Sequence, residues 1–311
     1  MFGLSTNLCT ASARDVVDQL FGRTHKPAAD SAGPSTFRPP SYDADTGTTA
    51  SQRALANIIA IIYNMEHQAS EAEATVSEEG GHITTAAGTE DADKLDMKAS
   101  SAFNISTRGG DDTITMKAGT LALLNGGGGN DTLNVAASYI GDVDGGDGND
   151  MIQMKTDLAL GVTGGNGNDT IKISADAMLG IDGGAGDDTI YLEGNRIFAT
   201  GGTGNDTITI RNTGDDPAEL SFVKGDGKDT VGTNGPIDIR FGYPAIFGTG
   251  KTSFAFAPDD LDISVSQGQL IVKSRLSDDA ITIDFEAGAL EQGVPRYTFE
   301  MDKGDYVLKV R

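Results

Sequence analysis

Between about residue 90 and residue 212 the chain keeps a regular beat of apolar and polar positions. Asp112, Asp131, Asp150, Asp169, Asp188 and Asp206 are spaced 19, 19, 19, 19 and 18 residues apart, and a degenerate earlier copy ends at Asp93. Two and four residues after each aspartate stand apolar side chains: Leu95 and Met97, Ile114 and Met116, Leu133 and Val135, Ile152 and Met154, Ile171 and Ile173, Ile190 and Leu192, Ile208 and Ile210. That alternation predicts a short strand with every second residue turned inward. A second apolar pair is read ten and twelve positions after the aspartate, as in Phe103 and Ile105, Leu160 and Val162, or Leu179 and Ile181. One repeat is then strand, irregular turn, strand and glycine-rich turn. Seven such coils stacked at the inter-strand distance of about 4.8 Å predict a mainly β fold, a parallel β-roll or narrow β-helix about 30 Å long.

The glycine-rich turns carry the chemistry. They read Gly126-Gly127-Gly128-Gly129-Asn130-Asp131, Gly145-Gly146-Asp147-Gly148-Asn149-Asp150, Gly164-Gly165-Asn166-Gly167-Asn168-Asp169, Gly183-Gly184-Ala185-Gly186-Asp187-Asp188 and Gly201-Gly202-Thr203-Gly204-Asn205-Asp206. Glycine lets the backbone take positive φ and turn carbonyls inward without a clashing β-carbon. Asn or Asp followed by Asp adds side-chain oxygen. One turn offers three or four oxygen ligands, too few for the six to eight that calcium takes, so two stacked turns are expected to share each ion. Glycine-turn geometry alone does not require an acid or amide followed by aspartate in copy after copy.

Composition narrows the choice. With 46 acidic and 23 basic side chains the formal charge is −23, which disfavours nucleic acid and favours a hard cation. The single cysteine, Cys9, excludes an internal disulfide, and His25, His67 and His82 are far apart. The most apolar stretch, Leu55–Met65, is too short to span a bilayer, so no integral membrane protein is expected. No cleavable signal peptide is read in the first 25 residues.

The repeated turn resembles the RTX nonapeptide GGxGxDxUx of haemolysin-type proteins, a calcium-binding β-helix repeat. The likeness covers about residues 88–231, with one glycine-rich turn per coil, so that a single edge of the roll would carry metal. The resemblance implies calcium sites built from the carbonyls of motif positions one and three and the side chain of position five in one turn, with the same carbonyls and the position-six aspartate of the next. Carried over, one site takes Gly126, Gly128 and Asn130 with Gly145, Asp147 and Asp150. The next takes Gly145, Asp147 and Asn149 with Gly164, Asn166 and Asp169. The series then runs through Asn168, Gly183, Ala185, Asp187, Asp188, Gly201, Thr203, Asn205 and Asp206. Weaker end sites are expected around Gly109, Asp111 and Asp112, and around Asp226 and Asp229 in the turn Lys224–Asp229, where Asp229 completes a site with Asn205. The segment Pro258–Phe285 is similar to the region C-terminal to the RTX repeats in proteins that leave Gram-negative bacteria by type I secretion, which implies export without a cleaved leader.

The chain divides into four regions. Residues 1–50, with four of the nine prolines, are expected to be disordered. Residues 51–74, with Leu55, Ile58, Ile59, Ile62 and Met65 on one helical face, are expected to form a helix that lids the first coil. The roll is assigned to 75–216, and 217–311 to a C-terminal β cap with the secretion signal. A zinc-protease HExxH and a hydrolase GxSxG elbow are both missing from the sequence, so no enzyme is expected. The expected function is that of a secreted calcium-binding protein acting as a structural, adhesive or host-interaction factor, with a cell-surface, polysaccharide or host-protein partner. Two alternatives are a polysaccharide-modifying β-helix lyase or epimerase, and a calcium-dependent ice-binding protein using Thr113, Thr132, Thr170, Thr189 and Thr207, a row broken by Met151.

Overall fold

The computed structural model describes residues 81–88, 90–242, 256–290, 294–302 and 305–311. The N-terminal segment 1–50 and the expected helix 51–74 lie outside the described residues. The chain forms a β-solenoid of about eight turns. Its strands are β1 (His82–Ile83), β2 (Ala86–Ala87), β3 (Lys94–Ser106), β4 (Thr113–Gly128), β5 (Thr132–Ala136), β6 (Tyr139–Asp147), β7 (Met151–Lys155), β8 (Leu158–Asn166), β9 (Thr170–Ala185), β10 (Thr189–Thr203), β11 (Thr207–Asn212), β12 (Ala218–Ser221), β13 (Lys228–Thr233) and β14 (Ile237–Phe241). Then come β15 (Leu261–Ser266), β16 (Gln269–Ser274), β17 (Ala280–Phe285), β18 (Tyr297–Asp302) and β19 (Asp305–Val310).

Every coil contributes to two faces, and both are parallel and in register. On the first face, which begins just after each aspartate, Thr113 pairs with Thr132, Thr132 with Met151, and Met151 with Thr170. On the second, Leu121 pairs with Ile140, Ile140 with Ala159, and Ala159 with Met178. Inward side chains of the first face, such as Ile114, Leu133, Ile152, Ile171, Ile190 and Ile208, are buried as the alternation predicts.

The second face departs from simple alternation. Its inward residues stand nine and twelve positions after the aspartate: Ala102 and Ile105, Leu121 and Leu124, Ile140 and Val143, Ala159 and Val162, Met178 and Ile181 all belong to the core. Position ten, where Phe103, Leu160 and Leu179 are found, stays outside that cluster. The cause is a corner residue between them with left-handed backbone: Asn104 (φ 51°), Leu123 (φ 60°), Asp142 (φ 48°), Gly161 (φ 62°) and Gly180 (φ 76°) recur every 19 residues and have no partner in the ladder. This periodic β-bulge also explains the one short interval. Between Asp188 and Asp206 no such residue occurs, and the register of β10 on β9 skips Gly180 between Phe198 and Ala199.

Parallel stacking runs past residue 216, where the boundary was expected. β13 stacks on β11, β14 on β12, and β17 adds to the first face beyond β13. The second face ends differently, with β19 antiparallel to β14 and β18 antiparallel to β19. Phe222, Phe241, Phe256 and Phe299 pack together here, with ring centroids 5.8–6.3 Å apart. Arg240, 6% exposed, binds Glu219 at 2.5 Å and Asp302 at 2.8 Å, and so ties β12 and β14 to the β18–β19 hairpin.

Candidate metal centre

Stacked coils bring the position-six aspartates into a continuous ladder. Each carboxylate accepts, through Oδ1, the backbone N–H of the aspartate one coil earlier: Asp112 from Asp93 (2.6 Å), Asp131 from Asp112 (2.8 Å), Asp150 from Asp131 (2.7 Å), Asp169 from Asp150 (2.7 Å), Asp188 from Asp169 (2.7 Å) and Asp206 from Asp188 (2.9 Å). Asp229 continues the row by accepting from Asp206 at 3.0 Å, despite its spacing of 23 residues. The second oxygen behaves otherwise. Oδ2 of Asp112, Asp131, Asp150, Asp169, Asp188 and Asp206 is buried and has no hydrogen-bond partner. A buried carboxylate oxygen left unpaired is costly unless it is protonated or meets a cation.

Glycine backbone packs closely against these oxygens. A β-carbon on Gly145 would fall 2.5 Å from Asp150 Oδ2 and nearer still to the carbonyl oxygen of Gly164. Equivalent collisions occur at Gly126, Gly164 and Gly183, so the position-one residue is glycine because the carboxylate of its own turn and the carbonyl of the next both crowd that point. The carbonyl of the following turn's first glycine approaches the same point as the aspartate carboxylate. The Gly126 carbonyl itself accepts the hydroxyl of Thr107.

Other expected ligands are engaged between coils. Position-five side chains are exposed and form a second ladder running the opposite way, in which Asp111 accepts the N–H of Asn130 (2.7 Å), Asn130 that of Asn149 (2.8 Å), Asn149 that of Asn168 (2.7 Å), Asn168 that of Asp187 (2.8 Å) and Asp187 that of Asn205 (2.8 Å). Asn205 accepts the N–H of Lys228 at 3.2 Å. Position-three carbonyls also accept N–H groups across coils: Asp147 from Gly129, Asn166 from Gly148, Ala185 from Gly167, Thr203 from Gly186 and Asp226 from Gly204. Each such carbonyl keeps one lone pair free. Gly109 bridges to Gly128, which continues the turn stack at the first coil.

The sequence pattern as read above overlooks the residue just before the glycine pair. Asn125, Asp144, Thr163, Asp182 and Thr200 occupy that place, and its uniform polarity was the available signal. Asn125 donates to Asp144 at 3.1 Å, and the hydroxyl of Thr200 is buried without a partner. Asp144 stands near Asp150 and Asp169, and Asp182 near Asp188, Asp206 and Asp226. Asp279, from the β16–β17 turn, was also missed. It accepts the N–H of Gly225 (3.0 Å) and of Gly227 (3.1 Å), which clamps the last glycine turn from outside the repeat.

Burial dominates the electrostatics of the row. It pushes Asp150 up to about 6, with the charges of Asp169, Asp131 and Asp144 adding, and Asp188 up to about 7, with Asp206, Asp169 and Asp182 adding. Asp206 and Asp182 are each raised to about 6 by burial, and Asp131 and Asp169 are raised as well. At the last turn Asp226, 1% exposed with Oδ1 unpartnered, is pushed by burial to about 9, and Asp229 to about 8. Among the described residues no three Asp, Glu, His or Cys side chains converge closely enough to hold a metal ion by themselves. An ion here would take one or two carboxylate oxygens and draw the rest from main-chain carbonyls, the donor set of a hard cation. Comparison with protein-family models, with curated proteins and with solved structures found no match to this chain. The aspartate row therefore has to be read from its own geometry.

Proposed function

We propose that the chain is an RTX-type calcium-binding protein without a catalytic domain, one that folds on calcium outside the cell and acts there as a structural, adhesive or host-interaction factor. The single observation that carries this reading is the row of six buried, unpartnered Oδ2 atoms, four of which, on Asp131, Asp150, Asp169 and Asp188, lie against the first glycine of their own turn at a point the carbonyl of the next turn also crowds. Calcium suits it because carboxylate and carbonyl oxygens are hard donors, and because the ion offsets repulsion along a stack that carries no basic side chain of its own in the row. Export fits the same chemistry. Metal that binds only the folded chain contributes its binding energy to folding, so in a calcium-poor cytosol the chain is less stable and unfolds more readily for passage through a type I channel.

Far-UV circular dichroism with chelator and during calcium titration tests the proposal. The β signal is expected to grow with calcium, with half-saturation at roughly 10⁻⁴ to 10⁻³ M, the range of extracellular modules. Equal β spectra in chelator and calcium, together with no heat of calcium binding by calorimetry, would refute it.

A further inference from the structure

Charge is segregated on the roll. Between Thr107 and Asp216 the chain carries 17 acidic and 6 basic side chains, yet four of the six, Lys117, Lys155, Lys172 and Arg211, and only one of the 17, Glu193, lie on the strands of the first face. Acids fill the glycine-turn edge and the second face, so a positive surface stands on a molecule of net charge −23. Ion pairing does not cancel it: among the described residues neither Lys117 nor Lys155 pairs with a carboxylate, and Arg211 reaches Glu286 only at 3.7 Å.

This face also holds an open groove of about 320 Å³ that crosses five coils. Register explains it. One outward row runs Lys117, Ala136, Lys155, Ser174, Glu193, and the small side chains of Ala136 and Ser174 leave gaps between the long ones. The neighbouring row runs Thr115, Asn134, Gln153, Lys172, Tyr191. Lys172 Nζ lies 5.5 Å from the centre of the Tyr191 ring, whose hydroxyl donates to Glu193 at 3.0 Å, so the groove ends against a fixed wall.

We propose that the first face binds an acidic polysaccharide laid along the roll axis across β4, β5, β7, β9 and β10. Lys117 and Lys155 are two coils apart, roughly 10 Å at the parallel-strand spacing. That interval suits a polymer charged on alternate sugars. It does not suit duplex phosphates, which recur about every 1.7 Å of axis. Between the cations, Thr115, Asn134 and Gln153 offer hydroxyl and amide groups that pair with sugar hydroxyls, and the groove has one aromatic ring in place of the row of rings that stacks successive bases. At physiological ionic strength the screening length is about 8 Å, so the local cations outweigh the acidic edge for a chain lying in the groove.

The inference gives the adhesive role a ligand class without resting on the calcium reading, since all these residues lie outside the glycine turns. Affinity electrophoresis of the full chain, in a buffer where its β spectrum has been verified, tests it with hyaluronan as probe, a polymer with one carboxylate per two sugars, and neutral dextran as control. Hyaluronan is expected to retard the protein and dextran is not. The variant Lys117→Ser/Lys155→Ser/Lys172→Ser should bind at least tenfold more weakly with an unchanged spectrum and thermal midpoint. Removing the same charge elsewhere, in Arg196→Ser/Lys273→Ser/Arg275→Ser, should alter binding less than twofold. Absence of retardation of the folded wild-type chain overturns the proposal. So does an equal loss in both variants, and so does displacement of hyaluronan by a single-stranded oligonucleotide at the same charge concentration.

Discussion

Leu123 holds a left-handed backbone, φ 60°, with its side chain 37% exposed, at a corner where the neighbouring coils use Asn104 and Asp142. A branched side chain in that region costs about 1–2 kcal/mol, and asparagine much less. Leu123→Asn is therefore expected to raise stability by about 0.5–1 kcal/mol after the loss of some apolar contact, as a higher urea midpoint at unchanged slope. A lower midpoint would mean that this corner is not strained. The two oxygens of Asp169 have separate duties, and Asp169→Asn divides them. The amide oxygen can still accept the N–H of Asp150, so the ladder survives, while the unpartnered Oδ2 and its charge are lost. In chelator this variant should be as stable as the wild type or more so, because a buried, unpaired charge has gone. In calcium it should lose one bound ion or bind at least tenfold more weakly by calorimetry, whereas Asp93→Asn, in the degenerate first turn, should change little. Loss of the fold in chelator would show that Oδ1 alone does not account for the role of Asp169.

A coil of this roll has one dispensable residue, the corner of its second face. Deleting Gly180 converts a 19-residue coil into the 18-residue kind already present between Asp188 and Asp206, and is expected to cost about 1 kcal/mol or less by urea denaturation. Deleting Lys172 instead shifts Ile173 from the core to the surface and should prevent the coil from stacking, with loss of the β spectrum. Equal effects of the two deletions would contradict the bulge as the source of the extra residue. The corner also marks where the sequence pattern loses its meaning. Strands of the first face were legible because burial imposes a period of two on Ile114, Leu133 and Ile152 alike. On the second face the residues at the corner are Asn, Leu, Asp, Gly and Gly, chosen by backbone conformation and not by burial, so no single residue type marks the corner in every coil and the inward position moved from ten to nine. In the turns, Asp112 to Asp206 were legible as a row because only one residue type does their task. The split between Oδ1 and Oδ2, and the reverse ladder through Asn130 and Asn149, arise from contacts between coils that a single repeat does not contain.

At the scale of the whole molecule the end of the roll was the least legible part. Asp279 clamps Gly225 and Gly227 from more than fifty residues away, and Arg240 reaches Asp302, contacts that no local pattern announces. The aspartate row nonetheless gives the entire solenoid one collective property, its response to pH. Burial lifts Asp150 and Asp206 to about 6 and Asp188 to about 7, above the roughly 3.9 of an unfolded aspartate. Because the folded chain holds these protons more tightly, their stabilising effect is complete below pH ~4 and is lost as pH rises through 6 to 7. Without metal, the thermal midpoint should therefore climb as pH is lowered from 7.5 to 5, opposite to the usual acid destabilisation of paired carboxylates. The proposed calcium ions would bind the ionised row, so in millimolar calcium the trend should reverse, and calcium affinity should fall as pH drops through the same window. Thermal melts in chelator and in calcium across this range decide the matter. A flat profile in chelator would mean that the carboxylates are already compensated within the protein, and that the row has no need of a cation.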